Sequence, residues 1–276
     1  MATESFSQFD TPNPVKLYVE LMAGDVTLDA VETEQTAVAI EGRNVDDVVV
    51  TQQGDEISII GPRVRGIFDF GRGYDVKVTL PLDSQVIMKG GSTDLRAEGR
   101  LKAAQVKTGS GDVVLEEVTT LVDVATGSGD CQITTCHGPL TYKTGSGDLN
   151  VTTLGGEGRI TAGSGDITIH SPGDEIGIKT GSSDVRLGEV SHNVTVRSGS
   201  SDVQIGLMRA GVLVANSGSG DVRVAVAKGV PVYTDINTVT GTIRSSLTGA
   251  GKPEPGQDHV EIRAHSASGD ITLMEA

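Results

Sequence analysis

The chain has 276 residues, 37 acidic against 22 basic side chains, and a net charge of −15. That balance argues against direct nucleic-acid binding, which needs a basic face, and against anionic membrane surfaces. With no Trp, four Phe and four Tyr, any core is expected to be thin and aliphatic.

Met1 to Pro14 is polar and carries no apolar run of signal-peptide type, and no stretch approaches the roughly 20 apolar residues of a membrane span. A soluble, cytoplasmic protein without direct membrane insertion is therefore expected. Alternation of apolar and polar residues then predicts strands at Lys16–Leu21, Asp25–Leu28, Thr36–Glu41, Asp47–Thr51, Glu56–Ile60 and Asp75–Leu80. The phrases AGDV (Ala23–Val26) and QGDE (Gln53–Glu56) have the composition of hairpin turns. Residues 1–89 are expected to form an antiparallel β region that caps the remainder of the chain, since an open stack of strands leaves an edge that aggregates.

Within that region, Gly61–Tyr74 (GPRVRGIFDFGRGY) breaks the strand pattern. Arg63, Arg65, Phe68, Phe70 and Arg72 stand among glycines there. Exposed aromatic-plus-Arg loops are typical interaction elements, so these five residues are the partner-binding candidates. The competing reading folds the two Phe back onto the cap.

From residue 90 one phrase returns at a fixed interval of eighteen. It ends on Asp94, Asp112, Asp130, Asp148, Asp166, Asp184 and Asp202, and an eighth copy, at Asp221, comes one position later than the interval demands. One and three residues after each aspartate come apolar pairs such as Val113 and Leu115, Cys131 and Ile133, Ile167 and Ile169, and Val203 and Ile205, with mostly polar residues between. Six residues before it stand Val106, Val124, Tyr142, Ile160, Ile178 and Val196. One such repeat holds two strands and two turns, and no helical periodicity is present. The expected fold is all-β: a single-stranded, parallel β-helix-like solenoid of 18-residue coils, stacked about 4.8 Å apart. The repeats span 90–248, and 249–276 comprises the Pro/Gly loop Gly249–Asp258 and a last copy, Ser266–Leu273, as a capping coil. Thr240–Ile243 is a degenerate copy without the aspartate. Gly three residues before each aspartate is invariant within the chain, whereas one residue before it Thr93, Ser183 and Ser201 replace Gly. Only the first position is thus expected to require close backbone approach or positive φ.

The eight aspartates form a column of like charges that needs an offset. Turn-capping, each carboxylate accepting a turn N–H as Asx turns do, is the expected role. A Ca²⁺ file of the β-roll type is the alternative, but that motif needs two Gly-rich corners per coil, and here the second corner is irregular. Five residues before the aspartate runs a basic row, Lys107, Lys143, Lys179 and Arg197, and Arg186 and Arg223 stand two after it. Charge balance with the aspartates is the expected role, with a groove for an anionic polymer as the minor alternative. The five histidines make no metal-binding spacing, and no cofactor motif, phosphate loop or nucleophile elbow is present. Cys131 and Cys136 are too far apart along an extended strand for a disulfide and read as small buried hydrophobes.

The TGSGDV phrases, the Pro81–Ala97 entry PLDSQVIMKGGSTDLRA and the Arg/Phe/Gly loop together resemble a bacterial family of β-strand-repeat domains of unknown function that goes by the name "putative adhesin". The resemblance covers nearly the whole chain. It implies a bacterial source, a β-solenoid and no established catalytic residues. Some relatives accompany envelope-stress or membrane-linked regulators, and the adhesin name implies export. The expected function is a non-enzymatic scaffold for a protein or envelope partner. End-to-end filament formation is the second reading, and a polysaccharide-active enzyme the least favoured.

Overall fold

Two short strands and two corners are what one repeat of period-two alternation can build, and the chain stacks that unit. The computed structural model describes residues 3–62, 73–248 and 256–276, so most of the Pro/Gly loop Gly249–Asp258 lies outside the described residues. Among the described residues there is no α-helix, only strands and one 3₁₀ turn at Val45–Asp47. No helix there is long and apolar enough to cross a membrane. Two compact units are formed, Met1–Gly138 and Pro139–Ala276.

The first unit contains β1 (Thr3–Asp10), β2 (Lys16–Val31), β3 (Gln35–Gly42), β4 (Val49–Gln53), β5 (Glu56–Ile60), β6 (Tyr74–Pro81), β7 (Gln85–Thr108), β8 (Val113–Thr126) and β9 (Cys131–Cys136). The second contains β10 (Leu140–Thr144), β11 (Leu149–Leu154), β12 (Gly158–Ser164), β13 (Ile167–Pro172), β14 (Ile176–Ser182), β15 (Val185–Val190), β16 (Val194–Ser200), β17 (Val203–Met208), β18 (Gly211–Ser219), β19 (Val222–Val226), β20 (Val232–Thr238), β21 (Ile243–Ser245), β22 (Val260–Ser268) and β23 (Ile271–Glu275).

The second unit is the plainer. Even-numbered strands β10 to β18 make one parallel face and odd-numbered strands β11 to β19 the other. Partners lie one full repeat apart, as in Gly158↔Ile176↔Val194 and Ile167↔Val185↔Val203. At Val194↔Leu213 the offset grows by one, and Gly211, at φ +95°, takes up the extra residue in a corner. Ile160, Ile178 and Val196 point inward from one face and Ile169, Leu187 and Ile205 from the other, all buried. Each such side chain contributes about 1.5–3 kcal/mol on burial. The slim aliphatic core is thus a direct product of the alternation.

Spatial order departs from sequence order at the end of this unit. β22 and β23 pair on one side with β18 and β19 (Leu213↔Ile262, Val222↔Ile271) and on the other with β20 and β21 (Thr234↔Ile262, Ile243↔Ile271). The copy at Ser266–Leu273, expected as the capping coil, therefore lies between two others, and β20 and β21 form the outer coil. The reason is chemical. Asp270 can both donate its N–H and offer a carboxylate along the stack, whereas Thr242, at the same place in the degenerate copy, has no carboxylate to offer.

The first unit repeats this arrangement in mirror order. β2 pairs in parallel with β7 (Leu17↔Val86, Asp25↔Asp94) and, on its other edge, with β5 (Leu17↔Ile57) and β6 (Asp25↔Asp75). Residues 16–31, with β5 and β6, are therefore coils of the solenoid and not part of an antiparallel cap. AGDV is a solenoid corner and not a hairpin turn: Gly24, at φ +121°, bends one continuous strand, and a Cβ on it would lie 2.1 Å from the Tyr74 carbonyl oxygen. QGDE is a hairpin, with Gln53 opposite Glu56 and Gly54 at φ +61° in the turn. The antiparallel cap consists of β4 on β5, β3 on β6 (Ile40↔Val76) and β1 on β3 (Phe6↔Ala39). Strand β7 passes residue 89 without a break and hands the register to β8 and β9 (Leu95↔Val113↔Cys131).

Candidate functional site

The repeated corner collects the side chains best suited to chemistry. Within a turn, threonine caps: the hydroxyls of Thr108, Thr126 and Thr144 accept the N–H of Gly111, Gly129 and Gly147 at 3.1, 2.9 and 2.8 Å. Aspartate acts between turns. In the first unit the N–H groups of Asp112 and Asp130 donate to Oδ1 of Asp94 and Asp112, both at 2.8 Å. In the second unit Asp166 donates to Asp148 at 2.7 Å, Asp221 to Asp202 at 2.7 Å, Asp270 to Asp221 at 2.9 Å and Thr242 to Asp270 at 2.8 Å. Each carboxylate thus accepts a hydrogen bond from the neighbouring coil and not, as in an Asx turn, from its own. A charge-assisted bond of this kind offsets the repulsion of the stacked carboxylates.

Close approach of backbones explains the corner glycines. A Cβ on Gly127 would lie 2.4 Å from the Gly109 carbonyl oxygen, and one on Gly129 only 1.9 Å from that of Gly111. Both positions are tight, not the first alone. Where Ser183 and Ser201 take the second position, their side chains are buried and Ser183 N–H donates to Ser201 Oγ at 3.1 Å. At those two corners the aspartate bonds lengthen, to 3.3 Å at Asp184 and 3.4 Å at Asp202.

The second carboxylate oxygen is left for charge. Arg186 bridges Asp166 and Asp184, each at 2.9 Å; Arg223 holds Asp221 at 2.5 Å, and Arg244 holds Asp270 at 2.9 Å. The Thr242 N–H, then Arg244, hold the Asp270 carboxyl below the usual range. Asp25 is the opposite case. Although Asp25 is exposed, partial desolvation at the corner, then a hydrogen bond with Asp75 and the charges of Asp75 and Asp94, push its carboxyl upward. Asp25, Asp75 and Asp270 also belong to the column; the sequence marks Asp270 through the last copy, Ser266–Leu273, but neither Asp25 nor Asp75 was read as a member. The Gly-Asp-apolar-x-apolar pattern at Gly24–Leu28 was the available signal.

Among the described residues no group of three or more His, Cys, Asp or Glu side chains is placed to hold a metal ion. Cys131 and Cys136 are buried thiols, and that of Cys136 donates to the Gly138 carbonyl oxygen at 3.2 Å. Burial raises both thiols, that of Cys136 to about 11. Arg63, Arg65, Phe68, Phe70 and Arg72 lie outside the described residues.

Among the described residues no salt bridge joins the basic row to the aspartates. That balance is made by the arginines two residues after them. In the second unit, Lys179 and Arg197 sit side by side on the outer face of β14 and β16 (Lys179↔Arg197), exposed and with no ion pair among the described residues.

An all-β solenoid of two-strand coils, closed at its corners by threonine caps and an inter-coil aspartate column, is the class these observations define. The chain belongs to the Toastrack DUF4097 family, whose model matches residues 15–175 and again 155–274. That agrees with the resemblance carried by the TGSGDV phrases. Solved structures similar to it include a "putative adhesin" from Parabacteroides merdae, 12% identical, covering 99% of this chain and 96% of that one with a TM-score of 0.39. A "putative lipid binding protein" from Parabacteroides distasonis is 15% identical, covers 97% and 96%, and has a TM-score of 0.37. A "putative cell adhesion protein" from Clostridium sporogenes is 11% identical over 100% of both chains, with a TM-score of 0.29. No curated protein matches the chain.

Proposed function

We propose that the chain is a non-enzymatic scaffold that presents its outward side-chain rows, or an end face, to a protein or envelope partner. One observation carries this reading: the groups capable of chemistry are committed to the stack. The corner carboxylates hold backbone N–H groups and the thiols are buried, while the outward rows repeat at the coil spacing of about 4.8 Å. Such rows suit recognition more than turnover.

The test is affinity capture from native-host extract on the immobilised full chain, beside a Phe68→Ala/Phe70→Ala variant. A partner recovered in fixed stoichiometry by the wild type supports the scaffold, and its loss from the variant assigns the contact to the Gly61–Tyr74 segment. Capture of nothing, together with turnover in a glycan-hydrolysis screen, refutes it.

A second reading, end-to-end self-association, is favoured by the outer coil of the second unit, where Tyr233, Val239 and Ile243 are 43%, 75% and 44% exposed. Sedimentation velocity over a concentration series decides it; a single monomeric species at every concentration removes it.

A further inference from the structure

On the outer face of the second unit this acidic chain locally reverses sign. The row five residues before the aspartates runs in register through Lys143, Thr161, Lys179, Arg197 and Asn216. Lys179 and Arg197 occupy adjacent coils, about 4.8 Å apart along the stack. Like charges directly opposite on a sheet are unfavourable, and neither has a carboxylate partner among the described residues. Elsewhere in this unit Arg186, Arg209, Arg223, Arg244 and Arg263 all do.

Shape coincides with charge at this place. The neighbouring row on the same face is Arg159, Gly177 and Thr195. Gly177 carries no side chain, and a Cβ on it would meet only the Gly158 carbonyl oxygen, at 3.8 Å. The face is hollowed into a depression of about 380 Å³. Its walls are Arg159, Lys179 and Arg197, with Thr161 and Thr195, and with Glu157 and Glu175 at one end. Arg159 is held by Glu157 at 2.8 Å, so Lys179 and Arg197 are the cations left to face a ligand.

We propose that this depression binds an anionic glycan, whose acidic substituent bridges Lys179 and Arg197. The hydroxyls of the same strand bond to Thr161, Thr195, Glu157 and Glu175. The mixture of groups selects the class. Two carboxylates in the depression accept sugar hydroxyls and repel a bare polyanion such as polyphosphate. No aromatic side chain among its described lining residues is placed to stack a nucleic-acid base, and the net charge of −15 opposes a long nucleic acid. The inference rests on the scaffold reading and names a ligand class for it.

Calorimetric titration of the full chain tests it, with alginate as the carboxylate probe, chondroitin sulfate as the sulfate probe, and dextran and polyphosphate for comparison. At least one acidic glycan is expected to bind, more weakly as salt rises, and dextran is expected not to bind. Lys179→Gln/Arg197→Gln weakens binding about tenfold, as expected for the loss of two charge contacts. Gly177→Leu keeps every charge, fills the hollow and weakens binding similarly. Arg209→Gln/Arg263→Gln removes the same charge elsewhere in the unit and leaves binding unchanged; melting curves establish that each variant is folded. Failure of both acidic glycans to bind, equal losses in the two double variants, or tighter binding of polyphosphate overturns the proposal. Absence of glycan binding alongside capture of a partner from host extract leaves the scaffold reading standing, so the two failures are separable.

Discussion

Gly269→Ala forces two coils apart at their corner. Gly269 precedes Asp270 between β22 and β23, and a Cβ on it would lie 1.9 Å from the Gly220 carbonyl oxygen and 2.5 Å from its carbon. To reach ordinary contact the two backbones must separate by about 1.5 Å. That displacement falls on the Asp270 N–H bond to Asp221 Oδ1 and the Val222 N–H bond to the Asp270 carbonyl, both 2.9 Å. Two weakened hydrogen bonds at about 1 kcal/mol each, with about 1–3 kcal/mol for overpacking, come to a loss of about 3–5 kcal/mol. Reduced freedom of the unfolded alanine chain returns about 0.4–1 kcal/mol. A net loss of about 3 kcal/mol lowers Tm by roughly 6–12 °C in a chain of this size. Gly177→Ala is the control, because its added methyl makes only an ordinary contact, with the Gly158 carbonyl oxygen at 3.8 Å; its Tm is expected at that of wild type or up to about 4 °C above. Thermal melts followed by far-UV circular dichroism compare the two. If Gly269→Ala melts with the wild type, or Gly177→Ala falls as far, the corner glycines are not there for backbone contact.

Ile169→Asp places an unpaired charge in the fully buried core and should cost several kcal/mol in urea unfolding; a loss under about 1 kcal/mol contradicts its inward assignment. Thr126→Val leaves the buried Gly129 N–H without its acceptor and should cost about 1–3 kcal/mol, read from the same titration. Because the Asp25 carboxyl is raised in the folded chain, the folded state holds a proton that the unfolded state has lost. Its contribution to stability therefore falls as pH rises from the ordinary aspartate value through the raised one. Asp25→Asn removes that penalty and should be the more stable form at neutral pH, with the advantage vanishing in acid; urea midpoints measured across pH check the sign. The Cys131 and Cys136 thiols, buried and raised, should stay unreactive to a thiol reagent until the chain unfolds; rapid native-state labelling would place them at the surface.

The inward face was legible because its two governing periods are short and fixed. Ile167, Ile169, Val185 and Leu187 follow from alternation within a strand and from the constant step between strands. Asp25 was legible as a coil member only from its local Gly-Asp-apolar-x-apolar pattern and not from the period, because its partner Asp94 lies across an insertion that builds the cap and an extra coil. Ser266–Leu273 was misplaced because sequence order does not determine stacking order: its inner partner is the more distant along the chain (Val222↔Ile271) and its outer partner the nearer (Ile243↔Ile271). The aspartates were rightly seen to need an offset. That it comes from the next coil's own N–H depends on corner geometry, which no single coil contains. The basic row was misassigned to them for a related reason. Arg186 lies on the strand leaving the corner, beside the carboxylates, whereas Lys179 and Arg197 lie on the strand entering it.

Lys16–Val31 and Val260–Glu275 each lie one layer in from the outermost coil of their own unit, and this fixes how either margin can come undone. In the second unit the layer that must lift first, β20 with β21, is a flap tethered at both sides; in the first, β5 and β6 lift only after the cap strands β4, β3 and β1 that pair outside them. A single proteolytic nick in such a flap leaves the strand beneath still clasped by its inner neighbour.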